Sequence, residues 1–132
     1  MTKLATRGAK LTGVLAWEMA PEVGFSRSTV TVTVEAGMDV GSVVVFAAGK
    51  YKWVAAADVA TLGNDVRVVI DPTITEQGTG DKQLTVLGTE LASSPAYVVR
   101  GGLKFKDALT SGQVDSVITK LNLRDIRAVA RV

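Results

Sequence analysis

The most regular stretch of the chain is Thr29-Val30-Thr31-Val32-Thr33-Val34, where two β-branched residue types alternate without a break. A side-chain period of two marks a half-buried strand, with valines on the core face and threonines opposite. Glu35-Ala36-Gly37 closes it, and Val40 with Gly41-Ser42-Val43-Val44-Val45-Phe46 predicts a second strand. Ala48-Gly49-Lys50 predicts a tight turn, after which Tyr51, Trp53 and Val54 resume the alternation. Val66-Arg67-Val68-Val69-Ile70 predicts another strand, stopped by Asp71-Pro72. Residues 75–82 are polar, contain Gly78 and Gly80, and predict an exposed loop. Leu84-Thr85-Val86-Leu87 and Ala96-Tyr97-Val98-Val99-Arg100 read as further strands, the second ended by Gly101-Gly102.

The period changes only near the end. Val114, Val117, Ile118 and Leu121 fall at i, i+3, i+4 and i+7 behind Thr110 or Ser111 as cap, with Asn122 as a stop. Beyond it, Ile126, Val129 and Val132 are interleaved with Arg124, Arg127 and Arg131, which is extended character again. Short strands punctuated by glycine turns predict a mainly β small barrel or sandwich with one short C-terminal helix.

Residues 1–25 have a different texture. Lys3, Arg7 and Lys10 come with no acid before Glu18, and Leu15, Trp17, Met19, Val23 and Phe25 then fall on odd-numbered positions. That is a strand period, interrupted by Pro21, which cannot donate to a central ladder. The expectation is an extended N-terminal arm with an apolar edge and no packed partner in its own chain, preceding a β-rich domain over residues 26–132. Thr12, Gly13 and Glu18 break up the apolar stretch behind the basic residues, so a signal-peptide core does not form.

Composition narrows the chemistry. The 132 residues suit one domain, and 47% hydrophobic residues exceed what a disordered chain carries. The mean hydropathy of +0.27 points to apolar surface covered by neighbouring subunits. There is no cysteine and no histidine. Disulfides, thiolate nucleophiles, zinc–cysteine sites, imidazole bases and Ser-His-Asp arrangements are therefore excluded. Carboxylates remain, but Asp58, Asp65, Asp71, Glu76, Asp81 and Glu90 lie in or near predicted loops, and their spacing sets no pair of acids. The expectation is a protein without catalytic residues, metal or cofactor.

Gly78-Thr79-Gly80-Asp81-Lys82 does not have the spacing of a phosphate loop. A net charge of +2 with 5% aromatics offers no stacking platform for nucleic acid. The longest apolar run, Val43-Val44-Val45-Phe46-Ala47-Ala48, is far short of the roughly 20 residues of a bilayer helix. Neither nucleic acid nor membrane is an expected partner.

Two resemblances bear on function. Residues 34–44, from Val34 to Val44, resemble the glycine-punctuated valine rhythm of biotinyl and lipoyl carrier domains, with Lys82 as the corresponding turn lysine. The residues after Lys82 match neither family's modified-lysine motif. More specifically, Glu22-Val23-Gly24-Phe25-Ser26-Arg27-Ser28-Thr29-Val30-Thr31-Val32 resembles the signature of the lambda-like phage head decoration proteins. The likeness runs on through Gly37, Gly41-Ser42-Val43-Val44 and Gly49-Lys50-Tyr51 to a glycine pair, a short helix and Leu121-Asn122-Leu123-Arg124-Asp125-Ile126. Ser28 stands where an acid is frequent, Asn122-Leu123-Arg124 replaces the usual glycine, and the segment at residues 73–82 is longer than typical.

The resemblance implies a β-clip-type fold and a structural role. It implies a homotrimer at three-fold and quasi-three-fold positions outside an expanded capsid, clamping the major capsid protein lattice against internal DNA pressure. The arm would pair with a lattice strand through Leu15, Trp17, Met19, Pro21, Val23, Phe25 and Arg27, and Tyr51 and Trp53 are candidates for the contact between copies. Ordering some ten arm residues costs about 1–2 kcal/mol each. Burying the large apolar side chains returns roughly 1.5–3 kcal/mol each. The two nearly cancel, so one arm would hold weakly and three linked arms would be needed. A generic β oligomerisation module is the remaining alternative.

Overall fold

In a computed structural model of the chain, residues 15–18, 27–87, 96–123 and 126–129 are described. The expected mainly β architecture is the one observed, and its centre is a closed five-stranded barrel. The barrel strands are β2 (Arg27–Val34), β3 (Val43–Ala47), β4 (Lys50–Trp53), β5 (Val66–Val69) and β6 (Gly80–Leu87), in the spatial order β2-β4-β3-β5-β6. Every neighbouring pair is antiparallel except β2 with β4, which run parallel and meet with Val32 opposite Tyr51.

The threonine–valine alternation does what its period dictates. Val32 and Val34 are buried with Val44, Val68, Leu84 and Val86, while the threonines between them lie nearer solvent. β5 is buried at all four positions, which explains why its apolar run does not alternate. One face looks into the barrel and the other is covered by a helix, α2 (Ser111–Asn122), through Val117 and Leu121.

The β3–β4 hairpin turns at Ala48 and Gly49, with φ of 54° and 87°, between the paired residues Ala47 and Lys50. Two successive positive φ angles make the turn whose twist matches a β-hairpin, and glycine supplies one of them at no steric cost. The second strand starts later than the valine run suggests. Residues 38–42 instead form a turn that buries Met38 and Val40, and the Gly41 amide donates to the Val69 carbonyl at 2.8 Å.

The largest difference lies at residues 75–82, expected as an exposed loop. A single helical turn, α1 (Ile74–Gln77), forms there, and β6 already begins at Gly80. The Asp71 carboxylate nucleates the turn by accepting from the Thr73 amide and hydroxyl at 2.9 and 2.6 Å, and the Ile74 side chain is buried. Asp81 and Lys82 pair with Thr33 and Val32. They read as loop residues because this end of the β2–β6 ladder lies at the barrel rim, where both strand faces carry polar side chains.

A second, three-stranded sheet lies outside the barrel. It consists of β1 (Leu15–Glu18), β7 (Ala96–Val99) and β8 (Ile126–Val129) in the order β1-β7-β8, with β7 antiparallel to β1 and parallel to β8. The parallel β7–β8 pair requires a crossover, and α2 is that crossover. Thr110 caps it: its hydroxyl accepts from the Gln113 amide at 3.2 Å while the Gln113 side chain accepts from the Thr110 amide at 2.9 Å. Packed on both β8 and β5, α2 joins the small sheet to the barrel.

Candidate functional site

Of the residues expected to contact a capsid, Leu15, Trp17 and Arg27 lie among the described residues. Leu15 and Trp17 lie in β1, which pairs with β7 in the same chain, so this part of the arm has a partner where none was expected. The register shifts between Leu15 and Trp17. Met19, Pro21, Val23 and Phe25 lie outside the described residues. Arg27 is the first residue of β2, opposite Leu87. As the outer member of its sheet, β1 has no strand partner on its far side among the described residues.

Tyr51 and Trp53, the candidates for a contact between copies, are core residues instead, 5% and 8% exposed. Each is an aromatic with one polar atom, and each polar atom has a partner inside the protomer. The Tyr51 hydroxyl donates to Asp65 Oδ2 at 2.6 Å, and the Trp53 indole donates to the Lys104 carbonyl at 3.1 Å. On β4 the alternation places both inward and sends Lys50 and Lys52 out.

Around Tyr51 the chain assembles a polar cluster that the sequence reading did not single out. Arg67, in the middle of β5, is only 3% exposed. Its Nε donates to Asp65 Oδ1 at 2.8 Å and its Nη1 to the Ser28 hydroxyl at 2.8 Å. The guanidinium carbon lies 5.3 Å from the centroid of the Tyr51 ring, within cation–π range. Phe46 meets Tyr51 in a T-shaped contact, with centroids 5.3 Å apart and planes at 66°. The sequence did carry a signal: a charge inside Val66-Arg67-Val68-Val69-Ile70 is either an edge residue or a buried ion that needs a partner.

This cluster forms the floor of a cleft of about 630 Å³ between the first half of β2 and the β3–β4 hairpin. Two further clefts are less differentiated. One of about 510 Å³ lies between Phe105, Leu109 and Val114, and one of about 330 Å³ lies between the Gly37 and Gly78 turns.

Asp71, Asp58 and Asp81 are each engaged by neighbouring donors. Burial pushes the Asp71 carboxyl up, but hydrogen bonds from Thr73 and from the Thr85 amide outweigh it and hold it below its ordinary value of 3.8. Asp58 behaves alike: burial raises it, and the Ala55 amide and Lys52 bring it down further. Hydrogen bonds from Lys50 and Thr33 lower exposed Asp81, and Glu35 raises Lys106. Among the described residues no group of three or more acids is placed to hold a metal ion, and no helix is long and apolar enough to cross a membrane. Lys82, the turn lysine of the carrier resemblance, sits within a strand rather than at a hairpin tip.

Comparison of the chain with protein families, with curated proteins and with solved structures finds no match in any of the three.

Proposed function

We propose that the chain is a capsid decoration protein, a non-enzymatic virion component that binds the outer surface of an expanded phage head as a homotrimer and stabilises the major capsid protein lattice. One observation carries this reading beyond the signature at residues 22–32: β1 is held outside the barrel, as the edge strand of a small separate sheet. An edge strand presents unpaired backbone donors and acceptors and is the natural place for another chain to add a strand. Because Leu15–Glu18 is already ordered on β7, docking there does not have to order those residues. Three copies on one lattice position multiply a weak single contact through effective concentration.

The carrier reading has no comparable support, since it needs a lysine at a turn and Lys82 is paired with Val32 within the β2–β6 ladder.

The test is co-sedimentation of the purified chain with heads of its phage before and after expansion. Saturable binding to expanded heads alone is expected, with loss of binding in a chain lacking residues 1–18 whose barrel still unfolds cooperatively in urea. Failure of the full chain to bind either head form would overturn the reading.

A further inference from the structure

We infer that the cleft beside β2 is a carbohydrate-binding site for a neutral sugar of one or two rings. It is separate from whatever the chain contacts through β1. The inference starts from the barrel's own closure. β2 pairs with β6 continuously from Arg27 opposite Leu87 to Val34 opposite Gly80, but with β4 only where Val32 meets Tyr51. Among the described residues, Thr29, Val30 and Thr31 therefore have no strand partner on the β4 side. The cleft of about 630 Å³ opens along that edge, a volume in the range of small-molecule sites.

Its walls are of three kinds. The β2 edge supplies Thr29, Val30 and Thr31 with their backbone groups. Gln83 adds an amide, oriented by its bond to the Thr31 hydroxyl at 2.6 Å. Opposite stands Phe46, which is 48% exposed although it follows three buried valines in β3. The floor is the Arg67–Asp65 pair, held by Ser28 and Tyr51 in a geometry that needs no ligand. Gly49 contributes no side chain at the mouth, where an added Cβ would meet nothing within 4 Å.

These walls select among ligand classes. Arg67 and Asp65 cancel one another at 2.8 Å, so the cleft offers no net charge to an anion or a cation. An apolar ligand would strip water from hydroxyl, amide and backbone groups without replacing its hydrogen bonds. An extended peptide would find an edge of only residues 29–31, short against the usual strand of about 5–6 residues. A sugar has what remains: hydroxyls that both donate and accept, and a face of C–H groups that lies on an aromatic ring.

The experiment is amide-resolved NMR of the intact chain titrated with glucose, galactose, mannose, N-acetylglucosamine and their disaccharides. At least one sugar is expected to shift the amides of Thr29, Val30, Thr31, Phe46 and Gly49 saturably, and Phe46→Ala is expected to weaken it at least tenfold. Phe46 is exposed, so an unchanged urea midpoint will show that the variant remains folded. Thr29→Ala, also at an exposed position, gives a second reading on the opposite wall. Absence of saturable shifts with every sugar at about 10 mM would overturn the inference. So would binding that neither substitution weakens. A blocked Thr-Val hexapeptide that shifts the residue 29–31 amides while the sugars do not would also overturn it, and would assign the edge to strand addition.

Discussion

Replacing Asp65 by asparagine tests whether the Arg67 cluster is held by charge or merely by shape. Arg67's side chain is only 4% exposed, whereas Asp65's is 24% exposed. Removing one partner of a buried ion pair typically costs about 3–5 kcal/mol, because the other charge is left desolvated without its counter-charge. Asp65→Asn preserves size and the bond from Tyr51 but removes that counter-charge. With water able to approach from the Asp65 side, the expected cost falls to about 2–3 kcal/mol. Arg67→Met removes the buried charge itself and leaves Asp65 hydrogen-bonded and partly hydrated, at about 1 kcal/mol. The double variant should be more stable than Asp65→Asn alone. Urea unfolding at pH 7 reads all three: with a slope of about 2 kcal/mol per molar, Asp65→Asn lowers the midpoint by about 1–1.5 M. If Arg67→Met proves the more damaging single change, or the two costs simply add, the cluster is held by packing and the charge argument fails.

Ala48 occupies a left-handed position, φ 54°, ahead of Gly49; Ala48→Asn creates the preferred hairpin dipeptide and should stabilise by about 0.5–1 kcal/mol in urea. Ile74→Ala, at a fully buried side chain, should cost about 2–4 kcal/mol, a loss no exposed loop residue would show. Thr110→Ala removes the cap of α2 and should cost about 1 kcal/mol, with faster amide exchange confined to the first turn. Asp71 ionises at lower pH in the folded chain than in the unfolded one, so its stabilisation is complete above the unfolded value near 3.8 and is lost as pH falls through the folded one. Wild-type urea midpoints should therefore fall more steeply below pH 4 than those of Asp71→Asn, and parallel profiles would contradict this.

What the sequence revealed was whatever rests on neighbours in the chain. The residue 29–34 alternation, the Ala48-Gly49 turn and the Thr110-capped helix are each set by a period or by turn chemistry within a few residues, and each is where expected. Pairing between distant segments was not legible. Nothing near Leu15 announces Val98 as its partner, so the first strand reads as an unsupported arm. Gly80–Lys82 reads as loop because only β2, some fifty positions earlier by the Thr33–Asp81 hydrogen bond, supplies its ladder. Tyr51 and Trp53 read as candidates for a contact between copies because the Asp65 and Lys104 atoms that satisfy their polar ends come from other elements. The cleft was hidden for the same reason, since its two walls join only when the barrel closes.

That closure also orders events in time. The β3–β4 hairpin and its pairing with β5 involve segments close in sequence and can form early, on the microsecond scale of hairpins. β2 emerges before all of them, yet its long ladder needs β6, and the small sheet needs both β1 and β8 around β7. Chain closure over such separations is slow, and contact order sets the rate. During synthesis, β2, a strand of strong β-forming residues, would wait with an unpaired edge until residue 87 is made. The threonines that line its other face keep that waiting strand from being apolar on both sides.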